Sequence, residues 1–355
     1  MPYVSGNLSA ALLLAAVLPT LAIGQDVSCA AIASNAERLA CYDRASLLAI
    51  TAPATVDDVK APAERGLKDR LATFNSGEND RLRSHGSALT DQWELDAPSQ
   101  RGVFVLRPYK PIYLLPLSYT NNVNQSPSSA AIGHGGAEQG NLDAVEARVQ
   151  FSLKTKALEN LFGDNGDLWL GYTQSSRWQA YNSDLSRPFR ETDYEPEAML
   201  AFHTNYEFLG FKGSLASIGV NHQSNGRALP LSRSWNRVIA QAGFEKDDWM
   251  VLVRPWWRIP ESESSDDNPG IENYIGRGEL IVARQWQGQV FSLQARHSLR
   301  GGENSRGSAQ LAWSFPIAGD LKGYVQVFSG YGESLIDYNH RQTVIGVGVS
   351  VFDWY

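Results

Sequence analysis

His222 and Ser224 stand two residues apart in Ile218-Gly-Val-Asn-His222-Gln-Ser224-Asn-Gly226-Arg227, and Trp235-Asn236 follows after a short loop. A serine hydroxyl is a weak nucleophile until a base takes its proton, and an imidazole does this well only when a third group orients it. His222 and Ser224 supply the first two parts, and the amide oxygen of Asn236 is a candidate for the third. By itself a His-x-Ser tripeptide is mostly incidental. Its weight depends on the elements that carry it. In a strand, side chains two apart leave by the same face. Ala216, Ile218 and Val220 continue the face of His222 and Ser224, while Ser217, Gly219, Asn221 and Gln223 take the other. A second strand beginning near Trp235 puts Asn236 in line with Val238, Ala240, Ala242 and Phe244. In a soluble protein that apolar face would be a core, where a polar trio is costly. In a membrane barrel the same face meets lipid.

The rest of the chain favours the barrel. From about residue 100 onward apolar residues alternate with polar ones. Trp249, Val251, Val253, Trp257 and Ile259 oppose Arg254 and Arg258; Phe291, Leu293 and Ala295 oppose Ser292, Gln294 and Arg296. Ala309, Leu311, Trp313 and Phe315 repeat the pattern, as do Ile345, Val347, Val349 and Val351 just before the terminal Trp354-Tyr355. Turn signals such as Phe162-Gly-Asp-Asn-Gly166 and Ala318-Gly-Asp separate the segments. Strands of roughly ten residues predict an all-β, antiparallel transmembrane β-barrel of about twelve strands over 96–355, an even number as single-chain bacterial barrels prefer.

Composition agrees. The 355 residues carry a formal charge of −7, which argues against a nucleic-acid binder. Ten Trp and fourteen Tyr suit interfacial girdles, and 31 Gly suit turns and bends. No stretch reaches the ~18 apolar residues of a spanning helix. Ala10 to Ile23 reads as a signal peptide (1–24) cleaved before Gln25, although no Lys or Arg precedes it. Residues 25–95, with short helical candidates around 35–39 and 64–71 broken by Pro53 and Pro62, read as a small periplasmic extension and linker. Cys29 and Cys41 suit a disulfide in an exported chain.

Three motifs, His222 to Arg227 with Trp235-Asn236, Phe189-Arg-Glu-Thr-Asp-Tyr-Glu-Pro196, and Tyr331-Gly-Glu-Ser-Leu-Ile-Asp-Tyr-Asn339, closely resemble the outer-membrane phospholipase A family. The resemblance covers roughly 100–355 and not the N-terminal extension. It implies a bacterial outer-membrane enzyme that hydrolyses acyl esters of phospholipids and lysophospholipids, with A1 and A2 activity. Ser224 would be the nucleophile, His222 the base and Asn236 the group orienting it, with the Gly226 N–H binding the oxyanion. Asn in place of Asp avoids a carboxylate on a lipid-facing surface. The resemblance also implies Ca2+, held by the Arg227 carbonyl, the Ser232 hydroxyl and Ser186 of the partner subunit, so that activity requires a homodimer. Few protein ligands imply a water-rich ion. Gln174, in line with Leu168, Leu170 and Tyr172, would pair across that dimer; a one-residue slip would turn it to the lumen instead. Leu229 stands where relatives can carry an acid, which puts a second calcium position in doubt, and Asp266 and Asp267 suit either a cation or a solvated loop. The rival readings are a porin-like or structural barrel in which the trio is vestigial, a soluble secreted esterase, and a barrel enzyme with another substrate, such as one that deacylates lipopolysaccharide.

Overall fold

The computed structural model describes Ser34 and residues 88–136, 138–186 and 189–355. The signal segment, the Cys29–Cys41 pairing and the helical candidates before residue 88 lie outside the described residues.

The strands β1 (Leu106–Pro108) and β2 (Ile112–Thr120) run as one interrupted strand beside β3 (Val145–Leu158). They are followed by β4 (Asp167–Trp178), β5 (Glu191–Phe208), β6 (Phe211–Ser224), β7 (Ser234–Lys246), β8 (Trp249–Arg258), β9 (Gly278–Trp286), β10 (Gln289–His297), β11 (Gly307–Ala318), β12 (Leu321–Gly330) and β13 (Gln342–Phe352). Each pairs antiparallel with its neighbours in sequence, and β13 returns to β2, so the sheet closes into a barrel of twelve strand positions. Closure leaves no unpaired edge in lipid, the condition a spanning sheet must meet.

Alternation is inside-out relative to a soluble protein. On β6, Ile218 and Val220 are 51% and 54% exposed while Asn221 beside them is 3% exposed. The lumen instead holds ion pairs: Lys110 to Glu195 and Glu197 at 3.0 and 2.9 Å, Arg254 to Glu197 and Glu279 at 3.0 and 2.6 Å, and Arg177 to Asp193 at 2.9 Å. Buried charge on this scale is tolerable only when paired. Of the arginines assigned inward by parity, Arg254 sits in this network, Arg296 faces the same lumen and donates to Ser308 Oγ at 3.1 Å and the Gly332 carbonyl at 2.8 Å, and Arg258 reaches the rim and pairs with Asp266 at 2.6 Å.

The barrel interior is filled. At one end the short helix α1 (Ala88–Trp93) inserts Leu89 and Trp93 among Tyr109, Trp169, Leu215 and Met250. The Leu89 N–H donates to Glu245 Oε1 at 2.6 Å, and Glu94 pairs with Arg107 at 2.6 Å. Residues 88–95, assigned by sequence to the extension, therefore belong to the barrel core. At the other end Trp235, Trp256, Ile271, Leu335 and Tyr338 form a second cluster. Between them remains a polar cavity of about 150 Å³, lined by Lys110, Arg177, Glu195 and Arg237 among others, room for a few waters. That is no wide channel of the kind a porin needs.

The end bearing α1 carries the tight hairpins Leu209–Gly210, Asp247–Asp248, Gln287–Gly288 and Gly319–Asp320. The opposite end carries the long connections 121–144, 179–190, 225–233, 259–277 and 331–341. Short turns face the periplasm and long loops face outward in bacterial barrels. The 225–233 loop, where the polar trio gathers, therefore lies at the outer rim.

Candidate active site

β6 and β7 are joined by the 225–233 loop, and their register sets His222 directly opposite Asn236 and Ser224 opposite Ser234. Opposed residues on adjacent strands bring their Cβ atoms to about 5 Å. His222 Nδ1 accordingly meets Asn236 Oδ1 at 2.8 Å. His222, Ser224 and Asn236 are all half-buried and share the outer face with Ile218 and Val220, while their neighbours Asn221, Trp235 and Arg237 are buried in the lumen. Ser224 ends β6 two residues beyond His222, about 6.6 Å along the strand. Among the described residues its hydroxyl makes no hydrogen bond to His222. The pair is brought together by strand parity, and His222 and Asn236 by a hydrogen bond.

The loop beyond Ser224 is shaped by Asn225, which is 3% exposed. Its Nδ2 donates to Glu191 Oε1 at 3.0 Å and to the Leu231 carbonyl at 2.9 Å; its Oδ1 accepts from the N–H groups of Arg233 at 2.9 Å and Arg227 at 3.3 Å. Gly226 is held inside this turn at φ +62°, a left-handed conformation that glycine adopts at least cost. A Cβ there would also meet Tyr194 Cε2 at 3.2 Å. The Gly226 N–H has no protein acceptor among the described residues, so it is available to a ligand.

Ser232 Oγ donates to Asp267 Oδ2 at 2.5 Å, and the same carboxylate accepts from Ser234 Oγ at 3.3 Å and faces His134 Nε2 at 3.2 Å. Asp267 is thus the point where the 121–144, 225–233 and 259–277 loops converge. Its neighbour Asp266 is taken by Arg258. Arg227 projects its guanidinium to the Arg190 carbonyl, leaving its own carbonyl in the loop. Ser186 lies half-buried on the 179–190 loop, with its carbonyl accepting from Trp178 Nε1 at 2.5 Å. It makes no hydrogen bond to Arg227 or Ser232 within one chain among the described residues. No cluster of three or more His, Cys, Asp or Glu suited to a metal occurs among the described residues. Gln174 lies on the outer face: its Oε1 accepts from Tyr172 OH at 3.1 Å and its Nε2 donates to Ser176 Oγ at 3.4 Å.

One neighbour of the trio was missed by sequence. Asn236 Nδ2 donates to Glu261 Oε1 at 2.8 Å, and the Ile259 N–H extends the ladder to the Asn236 carbonyl at 2.8 Å. The signal was present in the parity of Trp257 and Ile259, which continues to Glu261, but Pro260 looks like the end of the strand.

A closed antiparallel barrel with lipid outside, ion pairs inside and a serine, histidine and asparagine on its outer rim is an outer-membrane β-barrel of the enzyme kind. The profile of the family described as Phospholipase A1 matches residues 89–351. The chain belongs to that family and is a phospholipase of the outer membrane. A family relative from Neisseria meningitidis is 37% identical over 368 residues, covering 96% of this chain and 95% of that one. Phospholipase A1 of Escherichia coli K12 is 39% identical over 272 residues, 73% of this chain and 90% of that protein. Among solved structures, the Salmonella typhi outer-membrane phospholipase dimer with bound calcium superimposes with a TM-score of 0.65 at 36% identity, over 76% of this chain and 99% of that one. The Escherichia coli enzyme gives 0.63 at 38%, over 70% and 95%.

Proposed function

We propose that this phospholipase is a calcium-dependent serine hydrolase that cleaves both acyl esters of phospholipids, and those of lysophospholipids, as a homodimer. The observation that carries the proposal is the His222–Asn236 hydrogen bond on the lipid-facing side of the rim, in line with Ser224. Substrate would enter laterally from the membrane, without using the filled lumen.

In this reading Ser224 Oγ attacks the ester carbonyl carbon while His222 Nε2 takes its proton. Asn236 Oδ1 accepts from Nδ1–H and keeps the lone pair of Nε2 directed at the serine. The oxyanion is met by the Gly226 N–H, which the Asn225 turn holds in place before substrate arrives, so that little reorganisation is needed. Collapse breaks the C–O ester bond; the departing lysophospholipid alkoxide takes the proton from His222, leaving the acyl group on Ser224. Water then attacks the acyl-enzyme with His222 again taking the proton, and fatty acid leaves as Ser224 is restored.

The imidazolium formed here faces a neutral amide, so charge stabilisation must come largely from elsewhere. The oxygen donors at Ser232 (its hydroxyl and the adjacent Asp267 carboxylate), with no thiol among them, suit a hard cation such as calcium. Arg227, Ser232 and Ser186 of the partner subunit would hold it. Bound calcium would supply positive charge for the developing oxyanion. The calcium and the dimer of the Salmonella typhi protein support this assignment, as does Gln174, whose outward placement suits a contact between subunits. Fatty-acid release from a diacyl and a lysophospholipid in detergent micelles tests the proposal. Hydrolysis of both that stops on chelation agrees with it, and hydrolysis indifferent to chelation contradicts the calcium assignment.

A further inference from the structure

We infer that Glu261 is a positioning residue for the reaction, acting on His222 through Asn236; the inference rests on the serine-hydrolase reading above. The amide of Asn236 has two chemically different ends, and only its NH2 end can donate to a carboxylate. Glu261 Oε1 lies 2.8 Å from Asn236 Nδ2, so the amide oxygen must face His222, where it lies 2.8 Å from Nδ1. An amide oxygen accepts, so Nδ1 must carry the hydrogen and Nε2 is left unprotonated. That is the tautomer a general base facing Ser224 requires. Without Glu261 the amide is free to turn over and present its NH2 to Nδ1, which favours the hydrogen on Nε2 and removes the base.

The backbone keeps Glu261 in place. The Ile259 N–H donates to the Asn236 carbonyl at 2.8 Å, carrying the β7–β8 ladder past Arg258, and Glu261 follows two residues on. Its other oxygen lies 3.5 Å from Arg258 Nη2, and the side chain is 15% exposed. The charge is therefore partly compensated by the Arg258 guanidinium, which makes it tolerable at the rim rather than deeper in lipid. A carboxylate accepting from the amide N–H also polarises the amide and strengthens its oxygen as an acceptor. Glu261 thus gives the neutral Asn236 some of the character of an aspartate, with the charge held one residue further from the nucleophile.

The test uses the full-length calcium-loaded enzyme in detergent with a lysophospholipid substrate. Glu261→Ala is expected to lower kcat roughly ten- to a hundredfold, the worth of one hydrogen bond to a charged group, with KM unchanged. Glu261→Gln keeps an acceptor and is expected to retain most of the activity. In an Asn236→Ala background, Glu261→Ala is expected to add nothing, because residues acting in series are not additive. Asn236→Asp sets two carboxylates against each other, so N236D/E261Q is expected to exceed N236D alone. Normal kcat in Glu261→Ala, additive losses in the double variant, or N236D matching N236D/E261Q would each overturn the inference. Ser224→Ala run alongside separates the two levels: if it stays active, the serine-hydrolase reading itself has failed; if it is dead while Glu261→Ala is normal, only the positioning role has.

Discussion

His222 Nδ1 lies 2.8 Å from Asn236 Oδ1 across a directly opposed pair of residues on β6 and β7, on the face of the barrel that meets lipid. The opposed register makes this contact a property of the sheet rather than of a mobile loop. Asn236→Ala is therefore expected to leave the barrel intact, judged by circular dichroism, and to lower kcat by about ten- to a hundredfold through loss of one oriented hydrogen bond. An unchanged kcat would remove Asn236 from the site.

Gly226 sits at φ +62° with Tyr194 3.2 Å from where a Cβ would be. Gly226→Ala is expected to add about 1 kcal/mol of backbone strain and to shift the N–H proposed to bind the oxyanion. Hydrolysis should fall by at least about tenfold in kcat, while binding of a non-hydrolysable ether lipid stays close to wild type. Equal losses in binding and turnover would point to a collapsed loop instead.

Asn225 ties the 225–233 loop to Glu191, Leu231, Arg233 and Arg227 by four hydrogen bonds. Asn225→Ala strands several of these buried groups, each at about 1–3 kcal/mol. Hydrolysis should be lost together with local order, read as faster cleavage of this loop by added protease. A protected loop with normal activity would show that the clamp is dispensable.

Ser232 donates to Asp267 at 2.5 Å, where the outer loops meet. Ser232→Ala removes one proposed calcium ligand, so it is expected to raise the calcium concentration needed for half-maximal activity by about tenfold. Maximal activity at saturating calcium should change less. An unaltered calcium titration would assign the ion elsewhere.

Asp337, in the 331–341 loop, accepts from Asn124 at 2.9 Å and Ser334 at 2.8 Å, and pairs with Arg190 at 3.2 Å. Burial alone would raise its pKa, but the Arg190 guanidinium and these hydrogen bonds outweigh burial and hold it below the ordinary 3.8. A carboxylate whose folded pKa is depressed contributes stability above its unfolded value, and that contribution is lost as pH falls through the folded one. The outer loops should thus tolerate protease down to about pH 4 and loosen below it. Asp337→Asn should show the loosened pattern already at neutral pH. Equal protection in both proteins across the range would dismiss the role.

Period-two alternation made the barrel and its lipid face legible, because lipid outside and charge inside impose opposite chemistries on successive residues. The same parity aligned His222, Ser224 and Asn236 in the sequence, and the register of β6 and β7 sets two of them within hydrogen-bond reach. Contacts between loops left no such trace. Asp267 is met by His134 and by Ser129, which is 138 residues away in sequence and donates to its carbonyl. No local pattern encodes a contact of that range. The insertion of Leu89 and Trp93 into the barrel was hidden for a similar reason, since a six-residue helix looks the same in a linker as in a plug. Glu261 stood beyond a proline, where strand reading stops by rule although the ladder continues by one hydrogen bond.

The most direct measurement of the central claim is mass spectrometry of the enzyme after treatment with a long-chain sulfonyl fluoride in calcium-containing micelles. A single covalent adduct on Ser224 is expected, forming in step with loss of activity and failing to form in His222→Ala. Inactivation with the adduct on another residue, or full hydrolysis by a chain whose Ser224 is blocked, would contradict the account.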